Sequence, residues 1–237
     1  MLTLNGVCKS YGSLVVTDDL SLRLAAGEAL GIIGPNGAGK STLFNLITGD
    51  VKADAGRIAF QNVDITHAPP HQRCRMGIGR SYQIPHPFAK MTVFENLLVG
   101  AAFGGKRAEK ACYGHCVEVL ERTGLLAKAN ALAGSLTLLE RKRLELARAL
   151  ALRPRLLLLD EIAGGLTEPE WEELVATIRA IHADGVTLIW IEHVVNALLA
   201  VAGRLIVLDF GRAIAEGEPH AVMALPEVRE IYLGIAA

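Results

Sequence analysis

The sequence predicts an α/β fold: a mostly parallel sheet flanked by helices, with an antiparallel β portion at its N-terminal end and a helical subdomain in its middle. Three observations predict it. An apolar run, Ala29-Leu30-Gly31-Ile32-Ile33, ends in a glycine-rich loop that is followed at once by a helix-period pattern. Beyond residue 152, short apolar runs alternate with helical patterns, as they do where parallel strands are joined by crossover helices. Between these regions, from about residue 92 to 152, the chain is dense in Ala, Leu, Glu, Lys and Arg with few β-branched runs, a composition that favours helix.

In chain order, residues 2–4 and 20–24 read as strands of the N-terminal portion, and 29–33 as a buried strand. After the loop, Leu43, Leu46 and Ile47 fall at i, i+3 and i+4 on one helix face, which Gly49 is placed to stop. Residues 57–60 form another strand, and the helix-rich insertion follows. Residues 156–159 resume the parallel sheet. Pro169 opens a helix carrying Trp171, Leu174, Val175 and Ile178 on one face, and Asp184-Gly185 closes it. A buried strand spans 186–191, a helix over 194–202 ends at Gly203, and a strand at 205–210 turns at Gly211 into 212–215 before a short helical tail.

Composition narrows the function classes. With 237 residues, 51% hydrophobic and 21% charged, the chain buries a full core, which argues against disorder. Its 24 Lys and Arg against 25 Asp and Glu supply no basic footprint for nucleic acid. Arg204 interrupts the run at 197–208, and no apolar stretch approaches the roughly 20 residues of a membrane helix. The opening Met1-Leu2-Thr3-Leu4-Asn5 lacks the basic region and apolar core of a secretory signal, so the cytoplasm is the expected compartment and the four cysteines are expected as thiols. Cys112 and Cys116 are spaced to share a helix face, but no second ligand pair follows, which favours free thiols over a metal site.

The glycine-rich loop reads Gly34-Pro35-Asn36-Gly37-Ala38-Gly39-Lys40-Ser41-Thr42, which satisfies G-x-x-x-x-G-K-[ST] between a strand and a helix, the context in which that motif works. Glycines let backbone N–H groups close around phosphate oxygens, the helix N-terminus adds its positive end, Lys40 reaches the β and γ phosphates, and Ser41 ligates magnesium. An ordinary glycine turn explains neither the Lys-Ser pair nor the flanking elements. Such a site also needs a carboxylate at a strand end, and the apolar strand at 156–159 runs into Asp160-Glu161. Asp160 is assigned to the magnesium shell and Glu161 to the base that polarises water. Alone, two acids leaving a strand for solvent would be as good an account; beside the phosphate loop it is the weaker one.

Over essentially its whole length the chain resembles the ABC ATPase family. Tyr11-Gly12 lies where that family stacks an aromatic ring on adenine; Gln83, in Ser81-Tyr82-Gln83-Ile84-Pro85, matches its Q-loop, which adds a magnesium ligand; and His193 follows a strand as its switch histidine does. Leu136-Thr137-Leu138-Leu139-Glu140 occupies the signature position, where Thr137 would meet nucleotide bound by an opposite subunit. The resemblance implies one ABC ATPase domain: a nucleotide-binding core at residues 1–87 and 153–237, and a helical subdomain with the signature at 88–152. Its cofactors would be ATP and Mg²⁺.

Within the family, Leu43-Phe44-Asn45-Leu46-Ile47-Thr48-Gly49, Gln83-Ile84-Pro85 with Thr92-Val93-Phe94-Glu95-Asn96, and Asp209-Phe210-Gly211-Arg212 are most similar to ATPase subunits of branched-chain (hydrophobic) amino-acid importers. That likeness implies a second ATPase subunit, identical or a paralogue, two membrane-spanning permease subunits, and a periplasmic or extracellular solute-binding protein; no nucleic acid is expected. The protein would be peripheral on the inner face of the cell membrane. The surface from Gln83 to Phe94, with Phe88 and Phe94, would seat a permease helix.

The chain departs from the family in three places: the usual Leu-Ser-Gly-Gly-Gln has lost both glycines, Ile162 replaces the proline after the catalytic Glu, and Thr167 replaces the D-loop aspartate. Thr137-x-x-Glu140 also has capping-box spacing, so this segment has a purely structural account as well. Two other classes compete with this reading: a cytosolic ABC-type ATPase acting on nucleic acid or ribosomes, disfavoured by the balanced charge and the absence of inserted coiled coils, and a nucleotide-gated subunit that hardly turns over, which the altered signature permits.

Overall fold

The computed structural model describes residues 1–104 and 107–233. Two sheets form the frame. In the first, β1 (Leu2–Tyr11) and β2 (Leu14–Leu24) make an antiparallel hairpin, and the order across the sheet is β2-β1-β4-β5, with β4 at Ala55–Phe60 and β5 at Val63–Asp64. Both hairpin strands run well beyond the expected 2–4 and 20–24. Their outer halves, residues 6–11 and 14–19, are mostly exposed or half-buried and carry neither a long apolar run nor a period-2 alternation to mark a strand.

The second sheet has the order β10-β9-β3-β8-β7-β6. β3 (Ala29–Ile33), β6 (Ile78–Arg80), β7 (Leu156–Asp160), β8 (Thr187–Ile191) and β9 (Arg204–Asp209) are parallel, and β10 (Arg212–Gly217) closes the edge antiparallel to β9. Strict alternation buries both faces. Leu157, Leu159, Leu188, Trp190, Leu205 and Val207 enter the core beneath the helices, whereas Leu156, Leu158, Ile189, Ile191, Ile206 and Leu208 enter the core shared with the antiparallel sheet. β6 was invisible as a strand because it is three residues long and contains glycine.

The helices cover both faces. α1 (Lys40–Thr48) follows β3 and ends at Gly49 in a left-handed cap, as its position predicted. The short α2 (Pro70–Arg75), unanticipated, precedes β6; it pins Arg73 beneath α1, whose guanidinium donates to the carbonyls of Leu46 and Ile47. Between β6 and β7 come α3 (Val93–Val99), a π-helical turn at Gly100–Gly104, α4 (Glu109–Arg122) and α5 (Leu138–Ala151). α6 (Glu168–Ala183) spans the length that Pro169 and Asp184 delimit, whereas α7 (Val195–Leu199) is shorter than the expected 194–202; α8 (Pro219–Ala224) and α9 (Pro226–Leu233) form the tail. Cys112 and Cys116 are buried free thiols on one face of α4, and burial pushes the Cys116 thiol up to about 11. No helix among the described residues is long and apolar enough to cross a membrane.

One consequence positions the chemistry. β3, β8, β7 and β6 are consecutive neighbours in the sheet and parallel, so the residues that follow each of them emerge along one edge.

Candidate functional site

At that edge β3 delivers the glycine loop. A Cβ on Gly34 would lie 2.2 Å from the Leu208 carbonyl oxygen, and one on Gly39 would lie 2.4 Å from the carbonyl of Val16, so glycine alone lets the loop pass between β9 and β2. Gly39, at φ 97°, starts α1 without any side-chain cap. The N–H groups of the first turn, Lys40, Ser41 and Thr42, have no acceptor within a helix, and here no cap replaces one. They face a cleft of about 300 Å³ lined by Val16, residues 36–42, Gln83 and Glu161. Lys40 is buried, and its Nζ donates to the carbonyls of Gly34 at 2.7 Å and Pro35 at 3.0 Å. Burial pulls its pKa below the ordinary lysine value, while the charges of Glu161 and Asp160 oppose that.

β7 delivers the acids. Asp160 is 4% exposed, and its Oδ2 accepts from Arg80 Nη2 at 2.6 Å. Glu161 leaves the strand at φ 45°, an uncommon conformation for a residue with a Cβ, locked by its N–H bonding the Ile191 carbonyl at 2.8 Å. That turn aims the carboxylate at the loops from β6 and β8: Oε2 accepts from Gln83 Nε2, and Oε1 lies 2.8 Å from His193 Nε2. A second cleft, of about 450 Å³, adjoins the first and is lined by Gly34, Pro35, Asn36, Gln83, Glu161, His193 and Ile231.

Behind this triad stand two buried charges. Glu192 is 0% exposed; its carboxylate accepts from the N–H groups of Ala163 at 2.9 Å, His193 at 2.8 Å and Val194 at 3.3 Å. Burial, the largest cause, pushes its carboxyl above the usual range despite those donors. Lys142 of α5 donates to the Glu161 carbonyl at 3.1 Å, and burial lowers its pKa against the attraction of Glu192 and Glu161.

The structure thus brings residues 34–42 together with Gln83, Glu161 and His193. Tyr11 and Thr137 line neither cleft. Tyr11 ends β1, half exposed, with Lys9 Nζ 5.4 Å from its ring centroid. Thr137 forms the capping box of α5: its Oγ1 accepts from the Glu140 N–H at 3.3 Å and Glu140 accepts from the Thr137 N–H at 2.9 Å. Of the departing positions, Ile162 is core at 1% exposure, and Thr167 caps α6 through Glu170. Sequence reasoning missed Arg80, Lys142 and Glu192. The last had a signal, an acid set between the apolar run of β8 and His193; the other two sit in segments rich in basic residues and had none.

Uncapped N–H groups, a loop that only glycine at 34 and 39 lets pass so close to β9 and β2, and a buried lysine fit a polyphosphate. No group of three or more His, Cys, Asp or Glu able to hold a metal occurs among the described residues. A hydroxyl, an amide and one carboxylate fit magnesium, which takes few protein ligands and shares phosphate oxygens.

A glycine loop opening a helix at the carboxyl edge of a parallel sheet, with acids at the end of a nearby strand, is the construction of a P-loop ATPase. The chain belongs to the ABC transporter family, which matches it over residues 17–164. It is 36% identical to the high-affinity branched-chain amino acid transport ATP-binding protein LivG of Salmonella typhimurium, covering 100% of this chain and 98% of the relative. Identity is 35% to the lipopolysaccharide export system ATP-binding protein LptB of Acidithiobacillus ferridurans, over 99% and 97% of the two chains. Among solved structures, the ADP conformation of MJ1267, an ATP-binding cassette of an ABC transporter, superposes with a TM-score of 0.91 at 34% identity, covering 99% of each chain. A nucleotide-free ATP-binding cassette from an ABC transporter gives 0.90 at 33%, again over 99% of each. The chain is therefore an ABC transporter ATPase that binds and hydrolyses ATP, close to the branched-chain amino-acid transport ATPases.

Proposed function

We propose that this chain is the ATP-driven motor of an importer for branched-chain or other hydrophobic amino acids, working as a dimer beneath two permease subunits at the cytoplasmic face of the membrane, with a solute-binding protein on the far side. The observation that carries the ATPase part is the Glu161 carboxylate, held between Gln83 and His193 at the mouth of the glycine loop. The full-length likeness to the LivG protein supports the substrate class. The LptB likeness, nearly as strong, supports a second reading as an export motor.

In this reading the N–H groups of residues 37–42 and the Lys40 ammonium bind the phosphates, Pro35 and Asn36 shape the loop, and Tyr11 receives the adenine. Asp160, Ser41 and Gln83 would hold Mg²⁺, which supplies charge neutralisation at the phosphate oxygens. Glu161 takes the proton of the attacking water. His193 fixes the Glu161 rotamer through Oε1, and Gln83 fixes it through Oε2. Thr137, at the N-terminus of α5, serves the nucleotide of the second subunit, as the family resemblance implies. Residues 88–152 form the helical subdomain, and 1–87 with 153–237 the nucleotide-binding core.

Two variants test the core of this. Glu161→Gln keeps the shape and removes the base: ATP binding should stay within about threefold while turnover falls by roughly 10² to 10⁴, the usual share of general-base catalysis. Lys40→Ala should lose tight ATP binding altogether. Parental turnover in the first variant, or parental affinity in the second, rules out the assigned roles. Uptake of radiolabelled leucine into vesicles carrying the permeases encoded beside this chain decides the substrate; ATP-driven uptake of none of the hydrophobic amino acids sinks the import reading.

A further inference from the structure

Arg80 takes no part in the reaction just described, yet it is among the most enclosed charges in the molecule. It is the last residue of β6, one strand away from Asp160. Its side chain is 8% exposed and that of Asp160 is 6%. One arm of the guanidinium donates to Asp160 Oδ2 at 2.6 Å and the other to Asn45 Oδ1 on α1, also at 2.6 Å, with Asp50 Oδ2 at 3.8 Å. Two rings flank it: the Phe44 centroid lies 5.4 Å from Cζ and the Tyr82 centroid 4.9 Å. A planar fork held by two acceptors between two aromatic faces fixes the carboxylate it grips; a lysine has neither the fork nor the faces. The same contacts join α1, the end of β7 and the residue preceding Gln83.

We propose that Arg80 is a positioning residue for Asp160 that makes binding of a divalent cation conditional on nucleotide. The inference rests on the reading of Asp160 as a magnesium ligand. Two facts support it. Arg80 occupies one oxygen of that carboxylate and leaves Oδ1 for a ligand. Its charge also opposes that of Asp160, as the Lys40 charge opposes that of Glu161, so each of these carboxylates already has a cation beside it. A divalent cation entering alone finds no net attraction and a single available carboxylate oxygen; a cation carried on a triphosphate brings its own negative charge. The device prevents free magnesium, abundant in cytoplasm, from occupying the site and blocking the loop.

The test titrates Mn²⁺ into the nucleotide-free full chain and follows the electron paramagnetic resonance signal of free Mn²⁺. Parent protein should bind it weakly. Arg80→Met exposes both oxygens of a carboxylate stripped of its counter-charge, and should bind Mn²⁺ at least tenfold tighter; Arg80→Lys, which keeps the charge but not the fork, should fall between parent and Arg80→Met, and parental Mn²⁺ binding in Arg80→Lys overturns the positioning role. Adding Asp160→Asn to Arg80→Met should return Mn²⁺ binding to the parental level, and this neutral pair should also fold where the single variant fails to. A folded Arg80→Met, judged by circular dichroism, that binds Mn²⁺ no tighter than parent overturns the proposal. So does parent protein that binds Mn²⁺ as tightly without ATP as with it, a reading that needs no Arg80 variant. The dissociation constants for ATP in Mg²⁺ and in EDTA separate the two levels of inference. If Mg²⁺ strengthens ATP binding to Asp160→Asn as much as to parent, the magnesium reading of Asp160 fails; if Asp160→Asn abolishes that gain while Arg80→Met is silent toward Mn²⁺, only the role of Arg80 fails.

Discussion

Glu192 ties together the two loops that hold Glu161 and His193, because its one carboxylate terminates three backbone N–H groups there. Glutamine preserves its size but replaces one acceptor with a donor, leaving a buried N–H unmatched. Glu192→Gln should therefore cost roughly 1–3 kcal/mol in urea unfolding. The sign of its pH dependence follows from the raised folded pKa. The Glu192 carboxyl contributes most where it is protonated in both states, below its unfolded value, and that contribution is lost as pH rises through the folded value. The stability gap between parent and Glu192→Gln should thus be widest at the acid end and narrow toward neutrality; a gap that widens with pH contradicts the assignment. Phe88 and Phe94, paired in the sequence reading, part company at this scale. Phe88 is 46% exposed beneath the Arg148 guanidinium, whereas Phe94 packs against the core and edge-on to Tyr113 at 5.5 Å. Phe88→Ala should lower permease-stimulated hydrolysis with melting temperature nearly unchanged. Phe94→Ala, which removes a partly buried ring, should lose roughly 1–3 kcal/mol of stability, measured by the same urea titration.

At the scale of elements, legibility in the sequence followed local chemistry. α1 and α6 were readable end to end, since Gly49, Pro169 and Asp184 act through backbone conformation that no tertiary contact has to supply. β6 and α2 were not. Ile78-Gly79-Arg80 is a strand only because β7 pairs with it, and α2 is stabilised by Arg73 reaching the last carbonyls of α1. α5 illustrates both cases. Its face of Leu144, Ala147, Leu150 and Ala151 is buried as the periodicity predicts, and Thr137 with Glu140 forms the capping box that the spacing announced. Thr137→Ala should accordingly cost about 1 kcal/mol of thermal or urea stability. The cap and a phosphate contact are compatible, because capping engages the Glu140 N–H and leaves the preceding N–H groups of the first turn free. An ATP affinity of the dimer that is unmoved in Thr137→Ala, beside the expected loss of stability, assigns the threonine to structure alone.

For the molecule as a whole, the glycine loop and the Asp160-Glu161 pair were legible because each is contiguous, whereas the grip of Arg80 on Asn45 and Asp160, and that of Lys142 on the Glu161 carbonyl, are assembled by a strand order that no short window reveals. The same limit governs the dimer. Leu138 and Leu139 stand where the family resemblance implies the signature glycines; Leu138 is 48% exposed at the N-terminus of α5, and its side chain extends to within 3.6 Å of where a Cβ on Gly165 would stand, in the loop that follows Glu161. Their bulk would lie beside the phosphate of an opposing subunit, and Glu140 adds negative charge at the end of a helix whose dipole favours an anion. The expected behaviour is a chain that is monomeric without nucleotide, hydrolyses ATP slowly by itself and dimerises with Mg–ATP more weakly than glycine-bearing relatives. Leu138→Gly with Leu139→Gly should tighten that dimer although each glycine costs up to about 1 kcal/mol of helix propensity. Sedimentation with Mg–ATP in the Glu161→Gln background, where hydrolysis cannot dissolve the complex, measures both dissociation constants. A tighter dimer in the glycine variant locates the weakness at the signature; an unchanged or looser dimer with a lower melting temperature means that Leu138 and Leu139 serve the fold of α5 and that the phosphate of the second subunit is met by other groups.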